Sequence, residues 1–293
     1  MEIIQSIILG IIQGIAEFLP ISSSGHLVLI PHIFSWRDQG LAFDVALHWG
    51  TLIAVVVYFR KDWTRILKES CLLSKLISIK YLVLSIKQNS QPNTSSLPRQ
   101  ATASWTEKLK SDLLFIIIIA TIPGVIAGSL LNSYAETVFR DPLIIAGTLF
   151  FGALLLFYAD KTGVKKSDLK NLTLKMGILI GLFQALAIIP GVSRSGITIT
   201  IALILGMQRT SAARFSFLLS TPIILGAGIM EFPNLLDNGS NINILVGVLV
   251  SAISGYLAIK YMLKYLENRS YNIFVGYRIV LAVAIIALLV DKV

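Results

Sequence analysis

Six stretches of this chain are each apolar and long enough to cross a bilayer, which more than anything else limits what it can fold into. They are Leu41–Phe59, Leu113–Leu131, Pro142–Ala159, Phe215–Met230, Ile242–Leu263 and Ile273–Leu289. A hydrocarbon core about 30 Å thick is spanned by about 20 helical residues, and lipid obliges each segment to satisfy its own backbone polar groups. With 55% hydrophobic residues, 14% charged and a mean hydropathy of +0.78 over 293 residues, too little polar surface remains to enclose a soluble globule. The pattern predicts an all-α integral membrane protein forming a single membrane domain, residues 1–293, with six full transmembrane helices.

Two further apolar segments are broken in the middle: Ile3–Leu19 followed by Gly25–Ile33, and Met176–Ile189 followed by Gly196–Leu205. Their junctions are near-copies. Gly10-Ile-Ile-Gln-Gly-Ile-Ala-Glu-Phe-Leu-Pro-Ile-Ser-Ser-Ser-Gly-His26 is echoed by Gly181-Leu-Phe-Gln-Ala-Leu-Ala-Ile-Ile-Pro-Gly-Val-Ser-Arg-Ser-Gly196. Gln13 and Gly25 recur as Gln184 and Gly196, each 171 residues further on, although Pro20 and Pro190 slip by one. In both copies proline stops an apolar helix and a polar Ser-x-Ser-Gly turn follows, where irregular backbone survives only if it lines a cavity or is buried in protein. We therefore expect two re-entrant helical pairs entering from opposite faces, an inverted-topology repeat with halves at about 1–159 and 174–293.

The basic residues test that arrangement. On this topology twenty Lys and Arg fall on one face, from Arg60 and Lys61 through Lys161 and Arg209 to Arg269, against Arg37, Arg140 and Lys292 on the other. The basic face is predicted to be cytoplasmic, with both termini outside. The net charge of +9 lies in loops between spans without a nucleic-acid-binding motif, so nucleic acid is excluded as a partner. Residues 61–111 read as a cytoplasmic loop: an interfacial basic helix at Leu72–Ile86 able to touch anionic lipid, then flexible polar chain. Cys71 is the single cysteine, which leaves no disulfide framework or cysteine metal site. Glu2 before the first apolar run argues against a cleavable signal peptide.

Charged residues inside such segments need a partner, because a charge at the bilayer centre costs at least about 2.5 kcal/mol. Glu17 is one, with Gln13 a helical turn earlier on the same face. Past Pro20, the hydroxyls of Ser22, Ser23 and Ser24 precede a helix start at Gly25, which permits close backbone approach, and His26 adds an imidazole. In the second copy Arg194 replaces the middle serine, and its planar fork suits a phosphate, with Ser193, Ser195, Gly196 and Thr198 placed to hold the remaining oxygens. Asp44 and His48 form an i, i+4 pair that either supports this site or satisfies itself within the bundle. His32 reads as interfacial, and Glu231 beside Phe232 and Pro233 as a solvated loop charge. Copy one thus offers acid, imidazole and hydroxyl and copy two cation and anion nest, a combination suited to phosphoryl chemistry.

The motifs Gln13-Gly-Ile-Ala-Glu17, Pro20-Ile-Ser-Ser-Ser-Gly-His26 and Pro190-Gly-Val-Ser-Arg-Ser-Gly-Ile-Thr198 closely resemble the signatures of the bacterial undecaprenyl-diphosphate phosphatase family, also called the bacitracin-resistance family. Phe43-Asp-Val-Ala-Leu-His-Trp-Gly-Thr51 and Ala213-Arg-Phe-Ser-Phe-Leu-Leu-Ser-Thr-Pro222 extend the likeness over nearly the whole chain. The resemblance implies a multi-pass enzyme of the bacterial cytoplasmic membrane that removes the terminal phosphate of undecaprenyl diphosphate, so that the monophosphate is reused in peptidoglycan synthesis. It implies Glu17 as the second acidic position of a Glu/Gln-x-x-x-Glu motif and metal ligand, with Gln13 in the first. It further implies Ser23 and His26 as the catalytic serine and histidine, Arg194 as the diphosphate-binding arginine, and a divalent cation, magnesium or calcium, as cofactor.

On this reading the diphosphate opens to the outer face, the prenyl tail lies between spans among membrane lipids, and a homodimer is a candidate assembly. The residues leave a second class open, since inverted repeats with broken helices also build transporters and a polyprenyl-phosphate flippase has the same architecture.

Overall fold

A computed structural model describes residues 3–70, 112–237 and 242–290. They form eleven α-helices: α1 (Ile3–Phe18), α2 (Ser23–Ile33), α3 (Leu41–Tyr58), α4 (Arg60–Glu69), α5 (Leu113–Glu136), α6 (Pro142–Thr162), α7 (Leu174–Gln184), α8 (Arg194–Ile204), α9 (Arg209–Asp237), α10 (Ile242–Leu266) and α11 (Asn272–Val290). Six of these, α3, α5, α6, α9, α10 and α11, are long and apolar enough to cross a membrane, and α1, α7 and α8 are shorter apolar helices. The molecule is all-helical among the described residues, as expected of a multi-pass membrane protein. The predicted interfacial helix at Leu72–Ile86 lies outside the described residues.

Local chemistry sets the helix ends. Asp112 accepts from Leu114 N and Phe115 N to start α5, and Asp141 accepts from Leu143 N and Ile144 N with Pro142 at the first position of α6. Close packing then depends on missing side chains. A Cβ at Gly10 of α1 would lie 2.6 Å from Gly247 O of α10, one at Gly50 of α3 2.3 Å from Val248 O, and one at Gly181 of α7 2.3 Å from Ala120 O of α5. Without water to drive association, such backbone-to-backbone fit is what holds apolar helices together. Phe18, Val55, Phe59, Phe215 and Phe217 fill one end of the bundle. There Asp160 of α6 accepts from Arg209 Nε at 2.6 Å and from the Tyr271 amide at 3.1 Å, tying α6 to the first residue of α9 and to the turn before α11.

The doubled segment appears as two matching turns. Ser22 and Ser193 both have left-handed backbone, φ 72° and 69°, and each caps the following helix by accepting from Gly25 N and Gly196 N. A non-glycine residue held there is strained, and each strained residue immediately precedes a short helix, α2 or α8. One expectation is corrected. Glu231 is not a solvated loop charge: α9 runs past Pro233 to Asp237, and Glu231 is a buried helical residue.

Candidate active site

α1 delivers Glu17 in its last turn, before Pro20, which has no N–H to continue the helix. The carboxylate is 5% exposed and gathers groups from four segments. Arg194 Nη2 of α8 donates to Oε1 at 2.7 Å. Oε2 accepts from Ser23 Oγ at 2.7 Å and from Gln13 Nε2 at 3.1 Å, and lies 3.3 Å from His48 Nε2. Arg194 Nη1 also donates to Ser216 O at 2.7 Å. The arginine expected to wait for an anion therefore already holds one, the carboxylate of the other half.

Each of the two histidines at the site bridges two partners. His48 Nδ1 faces Asp44 O at 2.7 Å, and because a carbonyl only accepts, that nitrogen carries a proton. Its Nε2 then meets Glu17 favourably only as a second N–H, which describes an imidazolium paired with a carboxylate. His26 Nδ1 likewise donates to Ser22 O at 2.6 Å, while its Nε2 lies 2.6 Å from the Tyr277 hydroxyl. A neutral ring accepting from Tyr277 satisfies both contacts. The Asp44 side chain does not complete a pair with His48: it accepts from Arg140 Nη1 and Nη2, both at 3.3 Å, and Arg140 also reaches Asp38 at 2.9 Å. Burial alone would lower the pKa of Arg140, but Asp44 and Asp38 raise it above its usual value, fixing the cation.

A cavity of about 260 Å³ opens beside this cluster. Its polar lining is Glu17, Ser23, Ser24, His48, Gln184, Ser193 and Arg194 inside, with Asp44, Arg140 and Glu231 further out; Val28, Val45, Gly124, Gly128, Ile223, Ile224 and Ala227 make it apolar elsewhere. The remaining expected site residues do not line it. Gln13 lies behind Glu17, and Ser22 is used in the scaffold, accepting from Gly191 N at 2.9 Å and Gly25 N at 3.3 Å. Ser195 donates to Leu19 O at 3.1 Å, and Thr198 donates to Arg194 O at 2.8 Å and meets Ser216 Oγ at 2.7 Å. Gly25, Gly196 and His26 also stand behind the wall, so the hydroxyl lining of the second turn is Ser193 alone.

Several groups here escaped the sequence reading. Gln184 carried a signal, its register with Gln13, and its Oε1, like that of Gln13, is buried without a hydrogen-bond partner. Arg278 carried another, as a charge inside an apolar span. Tyr277 gave none, and the sequence offers Arg140 and Glu231 only as loop charges.

Six apolar spans around an ionic and hydroxyl-bearing cavity define the class: a multi-pass membrane protein with a charged site among its helices. The sequence model of the family described as bacitracin resistance protein BacA matches residues 6–284, and this chain belongs to that family. A protein of Moorella thermoacetica is 47% identical over 98% of both chains, one of Pelotomaculum thermopropionicum 42% over 98% of this chain and 97% of its own, and one of Gemmatimonas aurantiaca 39% over the whole of both. All three are named undecaprenyl-diphosphatase.

Proposed function

We propose that this chain is an undecaprenyl-diphosphatase, hydrolysing undecaprenyl diphosphate to undecaprenyl phosphate and inorganic phosphate. The product re-enters peptidoglycan synthesis as lipid carrier, and the same activity confers bacitracin resistance. The observation that carries the mechanism is the Glu17–Arg194 ion pair with Ser23 Oγ bound to the same carboxylate. An incoming diphosphate competes with Glu17 for the guanidinium, whose planar fork matches phosphate oxygens. Glu17, released from Arg194, takes the proton of the attacking group, a water or Ser23 Oγ, as the bond to the terminal phosphorus forms and the bond to the lipid monophosphate breaks; on the Ser23 route water then attacks the phosphoserine, the Ser23 Oγ–P bond breaks, Glu17 returns the proton to the serine, and inorganic phosphate leaves. His48 and Gln13 orient the carboxylate, and His26 acts on the first turn through its bond to Ser22 O.

A divalent cation fits the donors. The Glu17 carboxylate on the cavity wall is the hard oxygen ligand that magnesium and calcium take, and Gln13 Oε1, on the amide that donates to it, is a buried oxygen without a hydrogen-bond partner. Among the described residues no cluster of three or more His, Cys, Asp or Glu surrounds a common point, so Glu17 would hold the cation from the cavity wall, with diphosphate oxygens and water completing the shell. When bound, the cation neutralises charge developing on the transferred phosphoryl group.

The two broken helix pairs act as inverted halves, one supplying carboxylate and hydroxyl and the other the cation. The outer end of the cavity, at Arg140 and Asp44, lies on the face poor in basic residues, so we place it on the outer side of the cytoplasmic membrane, with the basic loops in the cytoplasm. Between α5 and α9 the wall is apolar, which suits the first isoprene units of the tail. Membrane lipids are the surrounding partners, and a homodimer is the assembly we expect.

The test is phosphate release from a long-chain prenyl diphosphate by the detergent-solubilised chain. Release that Arg194→Ala abolishes supports the reading. Movement of the lipid across vesicles without phosphate release, in the wild-type chain, replaces it with the transporter reading.

A further inference from the structure

Arg278 of α11 is fully buried, and all five of its described hydrogen bonds go to backbone carbonyl oxygens. Nε donates to Leu149 O at 3.1 Å, and Nη1 to Pro20 O at 3.3 Å. Nη2 lies 3.2 Å from Thr148 O, 3.0 Å from Gly191 O and 3.2 Å from Val192 O. Pro20 ends the first broken helix, and Gly191 and Val192 lead directly into the second serine turn. One guanidinium therefore grips both turns at once and anchors them to α6. Room for it is made by two glycines: a Cβ on Gly152 would lie 2.1 Å from Nη2, and one on Gly196 2.8 Å from Nη1.

Carbonyl dipoles solvate this cation but do not cancel its charge, and a buried unpaired charge is costly enough to call for a use. We propose that Arg278 is a positioning residue for the anion site: it holds the two serine turns in register and adds a fixed positive charge behind them, so the diphosphate meets a preformed cradle. The inference rests on the proposed diphosphatase reading for its ligand. Its effect on turnover acts through the turns that carry Ser23 and Arg194. An electrostatic term set in place before the substrate arrives needs no rearrangement during the reaction.

Two variants disturb the grip without removing the charge. Arg278→Lys keeps a cation but loses the fork, since an ammonium has three donors on one atom and cannot reach carbonyls of three segments. Gly152→Ala keeps the arginine and forces it off its seat. Gly147→Ala, on the same helix with nothing within 4 Å of the added Cβ, is the control.

The measurements are kcat on a long-chain prenyl diphosphate and the dissociation constant of inorganic pyrophosphate, both per folded molecule from the monodisperse fraction. We expect Arg278→Lys and Gly152→Ala each to lower kcat and to weaken pyrophosphate binding at least tenfold, with Gly147→Ala within twofold of wild type. Values within threefold of wild type in the folded fraction of both variants overturn the proposal, and so does failure of both to fold, which would make Arg278 a folding residue only. Pyrophosphate binding needs no turnover: wild-type protein that binds it yet releases no phosphate from the lipid overturns the functional reading and leaves the role of Arg278 standing.

Discussion

Glu17→Gln is the sharpest test of the ionic cluster, because the amide keeps the size of the carboxylate and removes its charge together with one accepting oxygen. In the native site one carboxylate answers Arg194 and Ser23 at 2.7 Å, Gln13 at 3.1 Å and His48 at 3.3 Å. An amide offers one accepting oxygen and presents an NH2 to the remaining donors. The substitution leaves Arg194 as a buried charge without its partner, and breaking a buried pair from one side costs about 3–5 kcal/mol. If that loss falls on the transition state, about 1.4 kcal/mol per tenfold gives a rate lowered by roughly two to four orders of magnitude. Phosphate release in detergent measures it directly. The pair also acts as a unit, so Glu17→Gln/Arg194→Gln should lose no more activity than the worse single variant and should unfold at a higher temperature than Glu17→Gln alone. A Glu17→Gln protein within threefold of wild type, or a double variant less stable than either single, would refute the argument that this carboxylate and this arginine form one site.

Other outcomes follow from the same geometry. Tyr277→Phe removes one hydrogen bond to His26 Nε2, worth about 1 kcal/mol, so kcat should fall no more than about fivefold; a hundredfold loss in folded protein would place that nitrogen in the reaction itself. Gly128 lines the cavity, and a Cβ there meets nothing within 4 Å, so Gly128→Leu should slow hydrolysis of undecaprenyl diphosphate at least tenfold and spare a farnesyl diphosphate. Equal slowing of both substrates would count against a tail path between α5 and α9. Treatment with EDTA should stop phosphate release and added magnesium or calcium restore it, and a full rate in EDTA would remove the metal from the mechanism. Gly191→Ala puts a side chain on a residue at φ 92° with its Cβ 2.0 Å from Thr148 Oγ1 and 2.7 Å from Ile145 O, so the variant should unfold several degrees lower in detergent.

What could be read from the sequence was whatever is local. Hydropathy marked the six spans within a few residues, missing chiefly the length of α9, because a run of apolar residues is its own signal. Proline, serine and glycine marked the two turns for the same reason. Partnership across the fold was not local: Arg194 stands 177 residues from Glu17, and its role as counter-ion depends on two broken helices meeting end to end. Ser195 and Thr198 illustrate a different failure. They occur in the right turn, but in the first turns of α8 their hydroxyls find backbone carbonyls, Leu19 O and Arg194 O, so having a hydroxyl at the right spacing did not mean presenting it to the cavity. Glu231 was misplaced because Pro233 looked like a helix stop, whereas α9 passes through it.

The Glu17–Arg194 pair also explains how such a site can wait inside a membrane. Either charge alone would cost several kcal/mol at that depth, whereas together, with Ser23, Gln13 and Ser216 O filling the remaining positions, they are tolerable. On the proposed mechanism a ligand that carries its own anion takes Arg194 only if Glu17 is compensated at the same moment, by His48 and by the proposed divalent cation. In that mechanism exchange of partners, with no charge left bare, couples substrate binding to the freeing of the proposed base. An uncharged lipid of the same length offers nothing to exchange, so the cluster discriminates by charge before chain length matters.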